Sequence, residues 1–235
     1  MRHKILKLLP IYCIALSLFV FIGIGGSRAI TVFSEHAPVK NRVCVIIDAG
    51  HGGVDGGTTS CTGVEESKIN LQIALKLRDV MHLLGMKTQM IRTTDTSIHT
   101  GGNTIAAKKV SDLKERVRIV NETANSILIS IHQNYFAQNQ YHGAQVFYAA
   151  TEESESLAKQ LQKELIAALN HDSHRQAKKA SGIYLMQHIE RPGILIECGF
   201  LSNPEEEALL RSSQYQNKLC AIIASVCSSY LDTYK

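Results

Sequence analysis

The sequence predicts one α/β domain with a largely parallel sheet covered by helices on both faces. Three observations lead there. Short apolar, β-branched runs alternate with stretches of helical spacing. The runs are apolar at nearly every position, as strands covered on both faces are. The 235 residues suffice for one substantial core, and no segment repeats.

Taken in order, residues 43–48 form a first buried strand that ends on Asp48, and a glycine-rich loop follows over 50–63. Leu71, Ala74, Leu75, Leu77, Met81 and Leu84 have helical spacing, so a helix is expected over 70–84, closed by Gly85. Residues 87–92 read as a second strand and 93–110 as a long polar loop. A helix is expected over 112–121, with Val117 and Val120 inward. Strands follow over 127–131 and 144–149, then an amphipathic helix over 152–170. Residues 184–187 read as a short strand and 193–197 as another buried one. Pro204 opens a short helix, and 215–230 is the last helix.

Ahead of this domain, 8–26 is an uncharged run preceded by Arg2, Lys4 and Lys7. Basic residues before an apolar stretch read as an export signal or a membrane anchor. Ser27-Arg28-Ala29 offers a cleavage site, and Tyr12 before Cys13 argues against lipoprotein processing. The expected organisation is a signal peptide or anchor over 1–29, a linker over 30–41 and a catalytic domain over 42–235. The chain is thus expected outside the cytoplasmic membrane, secreted or held to it. The net charge of +4 lies wholly in residues 1–29, and the remainder has 21 basic and 21 acidic residues. Nothing in that balance attracts nucleic acid. Cys44, Cys61, Cys198, Cys220 and Cys227 read as small buried hydrophobes, and without a CxxC pair they suggest neither a cysteine zinc site nor a redox pair.

Four residues carry the chemistry. His51 follows the first strand, His132 terminates the third, Glu66 stands near the start of the first helix and Glu197 closes the strand over 193–197. Ligands of α/β sheets bind beyond the C-terminal strand ends. Two imidazoles and one carboxylate make a catalytic zinc set with its fourth position open. Glu197, ending an apolar run, needs solvent, a metal or a partner, and its chemistry suits a general base. Cys198 is expected on the opposite strand face and is no ligand. His142, before Gly143, is the spare histidine candidate. A nucleotide site at Gly50-His-Gly52 lacks the Gly-Lys-Ser/Thr ending of a phosphate loop.

Val45-Ile-Ile-Asp-Ala-Gly-His-Gly-Gly-Val-Asp-Gly-Gly57, Glu66-Ser-Lys-Ile-Asn-Leu71, Ser130-Ile-His-Gln-Asn134 and Ile196-Glu-Cys-Gly-Phe-Leu-Ser-Asn203 resemble, in order, the signatures of zinc-dependent N-acetylmuramoyl-L-alanine amidases. The resemblance implies a mixed six-stranded sheet flanked by helices, Zn2+ on His51, Glu66 and His132, and a catalytic Glu197. Glu66 rather than Glu65 is implied because it stands four residues before Asn70. Ser181-Gly-Ile-Tyr-Leu-Met-Gln187 further resembles the branch acting on spore cortex. That branch implies peptidoglycan stem peptides as substrate and a partner deacetylase leading to muramic δ-lactam. Ala49 and Gln133 depart from the family pattern, at positions where local rigidity or substrate fit could change. The rival readings are another zinc peptidase on stem peptides and a wall-binding protein without catalysis.

Overall fold

Each residue of the strand β1 (Cys44–Ala49) is buried, because the strand lies inside a sheet with helices over both faces. The computed structural model describes residues 43–233. After β1 come α1 (Glu66–Leu83), β2 (Lys87–Met90), α2 (Ile105–Glu122), β3 (Ser126–Asn134), β4 (Gln145–Tyr148), α3 (Glu152–Leu169), β5 (Lys178–Lys179), α4 (Tyr184–His188), β6 (Gly193–Phe200), α5 (Pro204–Arg211) and α6 (Ser213–Thr233). The sheet order is β2-β1-β3-β6-β4-β5. β2, β1, β3 and β6 are mutually parallel, and β4 joins β6 antiparallel. The sheet is therefore mixed and mostly parallel.

Alternate strand residues feed two cores. Val45, Ile47, Ile129, Ile131, Ile194 and Ile196 pack under α1, α3 and α6. Ile46, Leu128 and Leu195 face α2 and α4 on the other side. Helices thus cover both faces, as the alternating apolar runs predict.

Several boundaries differ from expectation, each for a local reason. α1 begins four residues early, at Glu66. Its first amides have partners outside the helix: Glu66 N donates to Thr58 O and Ser67 N to Gly56 O. Its inward face is Ile69, Ile73, Ala74, Leu77 and Met81, whereas Leu71 and Leu75 are half-buried and Leu84 is exposed. α2 occupies part of the expected polar loop, because the Thr104 side chain accepts from Ala107 N and caps it. That cap is worth about 1 kcal/mol. The buried face of α2 is Asp112, Arg116 and Val120, so its start has no apolar period to reveal it. Val117 is only half-buried.

Residues 184–188 are helical, correcting the expected strand. Gly182 turns the chain with φ +75°, and consecutive Leu185 and Met186 both enter the second core. The two-lysine β5 has no apolar signature at all. β3 and β6 run three residues past their expected ends, so His132 and Glu197 lie within strands rather than at their tips. Cys44, Cys198, Cys220 and Cys227 are buried, but Cys61 is exposed, because it sits on the loop before α1. The segments expected as signal or anchor (1–29) and linker (30–41) lie outside the described residues. Among the described residues no helix is long and apolar enough to cross a membrane.

Candidate active site

The parallel strands β1, β3 and β6 end on one rim, and the loop after β1 must turn there without leaving it. Glycine makes this feasible. A Cβ on Gly50 would stand 2.2 Å from His132 ring atoms, and one on Gly57 (φ +72°) would stand 2.6 Å from Glu66 Oε2 and 2.7 Å from His51 Cδ2. His51 itself has φ +60°, a left-handed conformation that costs a non-glycine residue about 1–3 kcal/mol.

Two arginines hold the loop in this shape. Arg92 donates from Nε to Ala49 O (2.8 Å) and from Nη2 to Gly50 O (3.0 Å) and Ser67 O (2.9 Å). Arg116 donates from Nη1 to Ala49 O (3.1 Å) and from Nη2 to His51 O (2.8 Å). Arg116 is buried between Asp48, which its Nη1 also meets, and Asp112, which accepts from Nε at 2.6 Å. Burial alone would raise the Asp48 carboxyl; Arg116, His132 and the Ser130 hydroxyl hold it below its ordinary value. The departure at Ala49 therefore sits where two guanidinium groups grip the carbonyl.

Within this frame His51, Glu66 and His132 converge. Their donor atoms all lie within 4.8 Å of one another. His51 Nδ1 donates to Asp55 Oδ2 (3.0 Å), which turns Nε2 toward Glu66 Oε2 (3.3 Å). His132 Nδ1 is 3.1 Å from Glu66 Oε1. Thr58 N donates to Oε2, and Gln133 N and Asn70 Nδ2 donate to Oε1. Burial works to raise Glu66, but His132 and His51 hold it far below its usual range. Burial works to lower His51, but Asp55 and Glu66 outweigh it and carry the imidazole up to about 9.

Glu197 is the β6 partner of His132 in the parallel register, so both side chains leave the sheet on the same face. Its Oε2 is buried with no hydrogen-bond partner. Burial pushes this carboxyl up to about 7, with Glu66 adding to the rise and His132 and His51 opposing it. A buried carboxylate oxygen left without a partner is costly and marks a place where a ligand completes the structure. Two imidazoles, one carboxylate and this orphaned oxygen fit a zinc ion with an open position. A cleft of about 80 Å³ lies alongside, lined by His51 and His132 together with Lys109 and Leu113 of α2 and Tyr184 of α4.

Of the other sequence candidates, Glu65 is outside the group and pairs with Lys68 (2.9 Å). His142 is exposed, 3.6 Å from Asp172. Cys198 is packed in the first core, on the face opposite Glu197. Arg92, Arg116, Asp55 and Asn70 were not anticipated as functional. One signal pointed to Arg116: Asp48 lies in a fully buried strand, and such a carboxylate requires a buried cation.

Residues 45–227 match the family described as N-acetylmuramoyl-L-alanine amidase. The germination-specific N-acetylmuramoyl-L-alanine amidase of Bacillus subtilis is 38% identical over 79% of this chain and 78% of its own length. The CwlD amidase of Clostridioides difficile, solved in complex with the GerS lipoprotein, superposes with a TM-score of 0.78 at 36% identity, over 82% of this chain and all of that one (100%). A second Clostridium difficile N-acetylmuramoyl-L-alanine amidase gives 0.73 at 32% identity, over 83% and 100%. The chain belongs to the N-acetylmuramoyl-L-alanine amidase family and is a peptidoglycan amidase.

Proposed function

We propose that this amidase is a zinc enzyme that removes stem peptides from the muramic acid of spore cortex, as a step toward muramic δ-lactam. The observation that carries the metal assignment is the convergence of His51, Glu66 and His132 donor atoms within 4.8 Å. The cortex assignment is supported by the 38% identity to a germination-specific relative. When bound, zinc lowers the pKa of a water and polarises a carbonyl.

The protein's own groups do the rest. Asp55 accepts a hydrogen bond from Nδ1–H of His51 and so keeps Nε2 turned toward Glu66 and the metal site. Glu197, ionised, takes a proton from the attacking water. It then gives that proton to the L-alanine nitrogen as the carbon–nitrogen bond breaks. The products are a lactyl carboxylate and a free amine. Leu113, Tyr184 and Leu195 line the cleft with His51 and His132 and limit water there.

On this reading residues 1–29 are an export signal or anchor, 30–41 a linker and 42–235 the catalytic domain, working outside the cytoplasmic membrane. A deacetylase then acts on the bared muramic acid. By likeness to the relative solved with a lipoprotein, the domain itself also takes a protein partner.

Mass spectrometry of muropeptides, with zinc and with a chelator, tests the reaction. New lactyl carboxylates and free L-alanine amines that disappear with chelation are expected, and cleavage inside the stem peptide would reject the proposal. Restoration of muramic δ-lactam in spores of an endospore former lacking its own cortex amidase tests the cortex role.

A further inference from the structure

We infer that Gln133 is a positioning residue for the metal site, acting through Asn70 on the Glu66 carboxylate. This rests on the reading of His51, Glu66 and His132 as the zinc site.

Gln133 follows His132 on β3, and the strand alternation sends its side chain to the opposite face. There it is 4% exposed and meets α1. Its Nε2 donates to Asn70 Oδ1 (3.1 Å). Asn70 is fully buried, and its Nδ2 donates both to Glu66 Oε1 (3.2 Å) and to Gly50 O (3.2 Å). One amide thus joins the end of β1, the first turn of α1 and β3.

A carboxamide has a donor end and an acceptor end, and at Asn70 the two must not exchange. Rotated by half a turn, Oδ1 would face the Glu66 carboxylate and the Gly50 carbonyl, oxygen against oxygen. Gln133 supplies the donor that Oδ1 needs in the correct orientation, so it reinforces which end of Asn70 points at Glu66 and holds the amide in place. The Gln133 backbone amide donates to the same Glu66 Oε1 (3.1 Å). Main chain and side chain of one residue therefore both determine where that oxygen sits. Groups that orient a metal-ligating carboxylate are typically worth about 10–100-fold in metal affinity.

Gln133→Met keeps the length and removes the donor, leaving the backbone bond intact. In the full chain, the zinc dissociation constant is read by competition with a chromogenic chelator, and unfolding of the metal-free protein is followed in parallel. Zinc binding weaker by about 10–100-fold is expected. Asn70→Ala should weaken it at least as much. Adding Gln133→Met to Asn70→Ala should then change the constant by less than about twofold, because the two residues act in series. Gln133→Ala goes through the same measurements, so that one poorly folded variant does not decide the matter. Zinc affinity within about twofold of the parent in a folded Gln133 variant overturns the inference, even if its metal-free unfolding temperature drops. Absence of zinc binding in the parent chain overturns the zinc site and this inference together, and so separates the two failures.

Discussion

Gly50 lies flat against the His132 ring, so that a Cβ on it would come within 2.2 Å of both Cε1 and Nε2. The backbone of Gly50 is not left-handed, and alanine could adopt it; only the ring forbids the methyl group. Gly50→Ala should therefore fold while displacing His132. A shift of about 1 Å at a reacting centre can cost about 100-fold in rate. Amidase assays alongside circular dichroism check this, and unchanged activity would mean the ring has room to retreat.

Glu197→Gln keeps the volume and removes the base. We expect turnover to fall about 100- to 10,000-fold with zinc content preserved. Free-amine release and metal analysis on the same sample measure both. Retained turnover would assign the proton transfer elsewhere.

Arg116 neutralises Asp48 in the interior. Arg116→Met removes the buried guanidinium and leaves that carboxylate with the Ser130 hydroxyl (2.7 Å) and the neighbouring His132. The expected loss is about 3–5 kcal/mol of stability, readable by urea unfolding.

The same pair sets an acid limit. The folded-state pKa of Asp48 is held below its unfolded value. Its contribution to stability is thus present above the unfolded value of about 3.9 and is lost as pH falls through the lower folded one. In Asp48→Asn this group no longer titrates. The stability of that variant should fall less steeply below about pH 4 than the parent's, and parallel slopes would remove Asp48 from the acid transition.

Among the described cysteines only Cys61 is exposed. Burial pushes the thiols of Cys220 and Cys227 up to about 12, where they are neither accessible nor ionised. Alkylation of the native chain followed by peptide mapping should modify Cys61 and spare Cys44, Cys198, Cys220 and Cys227.

The site was legible from the sequence where its residues are set by short apolar strands. β1 and β3 each have a recognisable run, and His51 and His132 sit within three residues of its end. Glu66 was less direct: it opens α1, but the apolar period starts only at Ile69, because the first turn is anchored by loop carbonyls rather than by packing. The guanidinium grip of Arg92 and Arg116 left no periodic trace. Polar residues on an inward helix face look like solvated ones until the buried Asp48 is placed opposite them. α4 was misread because five residues are too few to separate a helix from a strand when two adjacent side chains are both inward.

At the far border of the sheet, β5 consists of Lys178 and Lys179 alone, both exposed. A longer, apolar strand there would expose unsatisfied amides and carbonyls to which a second molecule could add a strand. Two successive lysines, one on each face of this edge, repel such a copy, and the two-residue strand leaves almost no ladder to extend. Self-association by strand addition is thereby discouraged on that side, and exchanging both lysines for valine should remove the protection and make the purified chain aggregate.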